Sequence, residues 1–132
     1  MQPDETIRTE EEWRETLTPE QYRVLRAHGT ERAGTSPLLH EHRKGVFNCA
    51  GCGQPLYESN TKFESGSGWP SFWAPIEGAV EMITDRSHFM VRTEVRCARC
   101  HGHLGHVFDD GPRPTGERHC MNGAALAFEP TE

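Results

Sequence analysis

Between residues 89 and 97 the chain alternates. Phe89, Val91, Thr93, Val95 and Cys97 share one parity, while Met90, Arg92, Glu94 and Arg96 take the other. A period of two predicts a β-strand with one apolar and one polar face. Strand-like sequence begins at Val46, and segments 79–84, 103–108 and 118–128 are three further candidates. Glycine and proline punctuate the stretches between them, as at Gly66, Gly68, Pro70, Gly111 and Pro112. The beginning of the chain has a different rhythm. Segment 9–29 is predicted helical, because Thr9-Glu10-Glu11-Glu12 and Thr18-Pro19-Glu20-Gln21 both fit capping boxes, the second with proline at the first helical position. Tyr22, Val24 and Leu25 form a short apolar stripe, and Gly29 is the predicted C-terminal cap. Two short helices packed on a larger body are expected, followed by a polar arm over 30–45 with His40, His42, Arg43 and Lys44. The whole predicts one antiparallel β domain over 1–132, with helices and arm in 1–45 and the β body in 46–132.

Charge narrows the function. The chain of 132 residues carries 14 Lys and Arg against 20 Asp and Glu, a formal charge of −6. The basic residues are unclustered, which argues against general binding of nucleic acid or an anionic membrane. No apolar run approaches the ~20 residues of a membrane-spanning helix. Residues 1–9 show neither a basic nor an apolar leader region, so a cytoplasmic protein is expected. Only 34% of residues are hydrophobic, and 13 are glycine and 9 proline. So thin a core often needs a covalent or metal staple.

The cysteines offer one. Cys49-Ala-Gly-Cys52 and Cys97-Ala-Arg-Cys100 repeat one spacing, and Cys120 stands alone. An odd count without a leader argues against a disulfide framework. Two CxxC knuckles place four thiolates tetrahedrally around Zn²⁺. The segment from 53 to 96 exceeds the ~15–20 residues of a compact zinc ribbon, so the ion would tie together two distant parts of one fold. Structural zinc at Cys49, Cys52, Cys97 and Cys100 is favoured over a redox pair, because two symmetric pairs occur in one small domain.

Cys120 lies in Arg118-His119-Cys120-Met121-Asn122. On a strand, Arg118, Cys120 and Asn122 share a face, and Met121 points the other way. A guanidinium beside a thiol favours the thiolate. The alternative is an inert, buried cysteine. His103 and His106 are three residues apart, so a regular strand would send them to opposite faces. A bulge at Gly105 would bring both to one face. Together with His101 they also fit a second metal site, a weaker reading than thiol chemistry. His101 is expected to back the zinc knuckle, and His28, His40, His42 and His88 to be structural or solvent-facing. Ser65-Gly66-Ser67-Gly68-Trp69-Pro70-Ser71-Phe72-Trp73 reads as an aromatic binding wall, with Trp73 as a plug over the sheet.

Taken in order, CAGC at 49–52, GWPSF at 68–72, CxxCHGHLGHVFDDGP at 97–112 and RHCMN at 118–122 resemble the methionine sulfoxide reductase B family. The resemblance runs from near Tyr22 to Phe128. It implies a mainly β fold of two antiparallel sheets with N-terminal helices, a structural zinc away from the active site, and reduction of the R epimer of methionine sulfoxide in proteins. Cys120 takes the place of the catalytic nucleophile, and His103 and His106 that of the active-site histidines. Arg118 and Asn122 match supporting residues, and Asp110 matches an acidic residue supporting the histidine region. Trp69 matches the tryptophan that holds the substrate methyl, and Phe108 is expected beside it. Many members carry a resolving cysteine where this chain has Ser67. The resemblance therefore implies a one-cysteine cycle, in which a Cys120 sulfenic acid is reduced by thioredoxin or another thiol, in a monomer. Two rivals compete: a zinc-ribbon interaction module, which gives Cys120 no role, and a Cys–His hydrolase, which lacks a helix start after Cys120 to form an oxyanion hole.

Overall fold

The computed structural model describes residues 9–27, 29, 30, 32, 34, 36, 38, 39, 41–86 and 91–131. His28, His40, His88, Phe89 and Met90 lie outside them. Two seven-residue helices open the described chain, α1 (Glu10–Thr16) and α2 (Pro19–Leu25). Both predicted capping boxes form: Thr9 Oγ1 accepts from the Glu12 amide at 3.1 Å, and Thr18 Oγ1 from the Gln21 amide at 3.1 Å. Helices this short are marginal alone. Burial holds them, through Trp13, Leu17, Val24 and Leu25. Arg26 fixes the end of α2, stacking its guanidinium 4.6 Å from the Trp13 ring centre and donating to the Cys100 carbonyl at 3.0 Å. The helix therefore stops before Gly29. That residue is not its cap; its amide donates to the Arg23 carbonyl at 2.7 Å in a wider turn.

The rest is two antiparallel sheets. One orders its strands β2 (Pro55–Glu58), β1 (Gly45–Cys49) and β9 (Leu126–Pro130). The other runs β3 (Lys62–Phe63), β4 (Ser71–Phe72), β8 (Arg118–Met121), β7 (His103–Phe108), β6 (Arg92–Cys97) and β5 (Val80–Asp85). Aromatic rings join the sheets: Phe72 stacks on Tyr57 at 4.4 Å and meets Phe47 edge-on at 5.0 Å. Phe72, fully buried, is the plug, whereas Trp73 is only half-buried.

Two predicted strands differ from those observed. Segment 118–128 is not one strand. After Met121 the chain leaves the six-stranded sheet, makes a 3-10 turn at Gly123–Ala125 and enters the other sheet as β9. Asn122 turns the corner, its amide and its Nδ2 both donating to the Leu104 carbonyl, at 2.9 and 3.0 Å. The alternating segment begins its strand at Arg92, leaving Val91 exposed. Its polar face is not a solvent face either, because Glu94 is only 5% exposed.

Candidate active site

Cys120 occupies the middle of the larger sheet. Its register partners are Ser71 on β4 and His106 on β7. Strand alternation turns its neighbours His119 and Met121 into the core and leaves Cys120 on the opposite face. That face opens into a cavity of about 330 Å³. Ser67, Trp69, His106, Phe108, Arg118 and Asn122 share its wall with Cys120. Sequence reasoning did not foresee Thr30, Arg92 and Gly105 there. Thr30 arrives from the polar arm, and no local pattern marks it. Gly105 permits close approach, since a Cβ there would overlap the Cys120 carbonyl.

The predicted bulge exists, one residue earlier. Val95 pairs with Gly105 and Arg96 with His103, so Leu104 is the extra residue. The imidazoles of His103 and His106 consequently meet edge-to-face, 5.4 Å between centres. Only His106 lines the Cys120 cavity. His103 sits behind it, 3% exposed, and the two rings also border an adjoining cavity of about 400 Å³. The carboxylates on these rings are Glu94, 2.9 Å from His103 Nδ1, and Asp85, 2.8 Å from His106 Nε2. Asp110 is not among them. It forms a two-pronged pair with Arg118, at 2.8 and 3.2 Å, and the guanidinium stacks 4.5 Å above the Phe108 ring. No local pattern in β6 marks Glu94, because the partner that buries it, His103, comes from another strand.

Cys120 Sγ lies 3.6 Å from Ser67 Oγ, and Ser65 bridges Ser67 and Ser71 at 2.8 and 2.7 Å. Burial pushes the Cys120 thiol up. The Ser67 hydroxyl, the Arg118 charge and the Ser71 hydroxyl oppose that shift without cancelling it. Arg118 pulls the thiol toward the thiolate, as expected of a neighbouring guanidinium, but desolvation outweighs it.

Beneath the nucleophile a polar chain runs from the core outward, Tyr57 Oη–His119 Nδ1 at 2.9 Å and His119 Nε2–Glu117 Oε1 at 2.9 Å. Burial pushes His119 below the usual histidine range, against the pull of Glu117. Above about pH 6.5 both folded and unfolded states hold this ring neutral, so its contribution to stability is full there. Below that pH the unfolded chain takes up a proton that the folded protein resists, and stability falls until the lowered value is reached. Melting temperature should therefore drop more steeply from pH 7 to 5 in the wild type than in His119→Gln. Parallel curves would refute this.

The other cysteines meet at the ends of β1 and β6. Cys49 Sγ is 3.7 Å from Cys100 Sγ, Cys52 Sγ is 3.5 Å from Cys97 Sγ, and all four sulfurs lie within 4.8 Å of one another. A tetrahedral ion with bonds near 2.3 Å needs sulfurs about 3.8 Å apart, so the cluster fits a metal. Each knuckle closes through a backbone bond, Gly53 N–H to Cys49 O and His101 N–H to Cys97 O, both at 2.8 Å. Gly53 and His101 adopt positive φ, 81° and 64°. The expected place for His101 behind the sulfurs is not where its ring goes. The ring pairs with Glu81 at 3.0 Å and stays half-exposed, so its backbone is what serves the knuckle.

Comparison with known proteins agrees with this geometry. The model of the SelR domain matches residues 17–130. A peptide methionine sulfoxide reductase MsrB of Agrobacterium fabrum is 56% identical over 124 residues, covering 93% of this chain and 92% of its own. The MsrB of Thiobacillus denitrificans is 53% identical over the full length of both chains. That of Methanosarcina mazei is 51% identical over 100% of this chain and 95% of its own. Among solved structures, the Mis18 'Yippee-like' domain superposes with a TM-score of 0.55 at 21% identity, over 68% of this chain and 99% of that one, a likeness of fold alone. A cysteine and a histidine in one aromatic cavity, a four-cysteine cluster, and near-complete matches at above 50% identity lead to one assignment: the chain belongs to the MsrB family of peptide methionine sulfoxide reductases.

Proposed function

We propose that the protein reduces the R epimer of methionine sulfoxide to methionine, with Cys120 as nucleophile and His106 as proton donor. The observation that carries this is the cavity itself, which gathers Cys120, His106 and Trp69 in its lining. The substrate methyl packs on the Trp69 face, which suits an S-methyl group by apolar and sulfur–aromatic contact. The sulfoxide oxygen faces His106. Protonation there makes the sulfur electrophilic, and the Cys120 sulfur attacks it. Two electrons pass to the methionine sulfur, methionine leaves, and the oxygen ends on Cys120 as a sulfenic acid. Asn122, Arg118 and Phe108 shape the site. Asp110 acts through Arg118, on the evidence of their ion pair, and His103 acts through the edge of His106.

Ser67 stands 3.6 Å from Cys120 and carries a hydroxyl, so it cannot form a disulfide. The sulfenic acid is therefore reduced from outside, by thioredoxin or another thiol in the cytoplasm, where five free cysteines are at home. The described residues of one chain bring Cys120, His106 and Trp69 together, in keeping with action as a monomer. Among the described residues no helix is long and apolar enough to cross a membrane. The four-cysteine cluster holds structural Zn²⁺, which orients its knuckles and supplies no chemistry at Cys120.

Holding the methyl at Trp69 and the oxygen at His106 leaves only one epimer with its sulfur toward Cys120. In a mixture of both epimers with dithiothreitol, the R epimer should disappear and the S epimer should remain, each followed by chiral separation. Consumption of both, or of neither by a folded, metal-loaded sample, would overturn the reading.

A further inference from the structure

The hairpin of β5 and β6 faces the two histidines with charge, although nothing in the thiol chemistry calls for it. Asp85, the last residue of β5, pairs across the sheet with Arg92, the first of β6. Its Oδ2 lies 2.8 Å from His106 Nε2 and 3.4 Å from the Arg92 guanidinium. His106 and Asp85 are 13% and 18% exposed at their side chains, so water screens this contact poorly. Arg92 reaches the wall of the Cys120 cavity. A second set repeats the arrangement one layer deeper, where Arg96 binds Glu94 at 3.1 Å and Glu94 binds His103 at 2.9 Å. Among the described residues, the charged or titratable groups around His106 are Asp85 from β5, Arg92 and Glu94 from β6, His103 on its own strand, and Arg118 and Cys120 from β8.

We infer that Asp85 is a positioning residue for sulfoxide reduction: it holds His106 by its Nε2–H, so that Nδ1 is the nitrogen presented to the sulfoxide oxygen. Nε2 is committed to the carboxylate, and Nδ1 makes no hydrogen bond among the described residues. A ring anchored this way has one tautomer when neutral, with Nδ1 as acceptor. When charged, it donates from Nδ1 while the Asp85 carboxylate balances the added charge. Arg92 keeps the carboxylate from turning away. The inference rests on the proposed role of His106, and the test separates the two.

The experiment compares wild type, Asp85→Asn, Asp85→Glu and His106→Asn, using the R epimer with dithiothreitol. Melting temperatures check each fold, and ¹⁵N-edited NMR of the histidine rings reads the His106 tautomer. Asp85→Asn should lower kcat by about 10- to 100-fold, at most the lower end of what general acid catalysis contributes because the acid itself remains, and leave KM within about 2-fold. Its His106 should lose the pure Nε2–H signature, and Asp85→Glu should recover most of kcat. Wild-type kcat in Asp85→Asn, or an unchanged tautomer signal, overturns the inference. If His106→Asn is inactive while Asp85→Asn is not impaired, the inference alone fails. If His106→Asn keeps full kcat, the proton role of His106 fails and takes the inference with it.

Discussion

Cys120→Ser should abolish reduction of methionine-R-sulfoxide while leaving the fold intact. A serine hydroxyl in this site stays protonated, and its oxygen cannot accept the substrate oxygen to form a sulfenic acid. The loss of kcat should reach about 10³-fold or more, the scale on which a covalent step depends on its nucleophile. Little should happen to stability. The side chain faces the cavity, and exchanging sulfur for oxygen there should cost under about 1 kcal/mol. The wild-type protein, given substrate and no reductant, should accumulate one sulfenic acid per chain, trapped at Cys120 by dimedone and located by mass spectrometry. An intramolecular disulfide between Cys120 and a knuckle cysteine would contradict the one-cysteine cycle. Residual turnover above about a tenth of wild type in Cys120→Ser would contradict the nucleophile.

The second large effect should come from the other end of β6. Cys97→Ser should lower metal content and stability together. Cys97 is fully buried, and the cluster joins β1 of the small sheet to β6 of the large one. Structural zinc supplies about 10–16 kcal/mol of binding free energy in small folds at pH 7, so loss of one ligand should cost at least ~3 kcal/mol and lower Tm by about 10 °C. Activity should fall too, through Glu94 and His103, each three residues from a knuckle cysteine along the same β6–β7 hairpin. Metal analysis and calorimetry on one sample decide it. A variant without metal that melts like the wild type would show that the cluster is no staple.

Legibility in the sequence followed the range of the interaction. Capping boxes at Thr9 and Thr18 involve contacts three residues apart, and both formed as read. The knuckles announced their ligands because a fixed spacing leaves thiols few geometries. Strand periodicity located β5 and β7 to within a residue. What escaped was set across the sheet. Glu94 and Asp85 looked like ordinary polar positions, because their partners are histidines on another strand. The break at Asn122 escaped because the residues after it are small and apolar enough to continue a strand. Only the Leu104 carbonyl, waiting on β7, makes the turn. The sign of the shift on Cys120 escaped for a related reason, since a neighbouring arginine is visible in sequence and desolvation is not.

The sheet order has a consequence for how the molecule is made. β1 lies at the centre of the small sheet, and its partner β9 is the last strand of the described chain, Gly45 pairing with Pro130. A polypeptide growing from its N-terminus therefore carries β1 without one of its two partner strands until β9 has been made. Until Cys97 and Cys100 emerge, Cys49 and Cys52 are a bare dithiol on an unfinished chain. An enzyme suited to repairing oxidised methionine thus passes through a stage of its own birth that is open to oxidation.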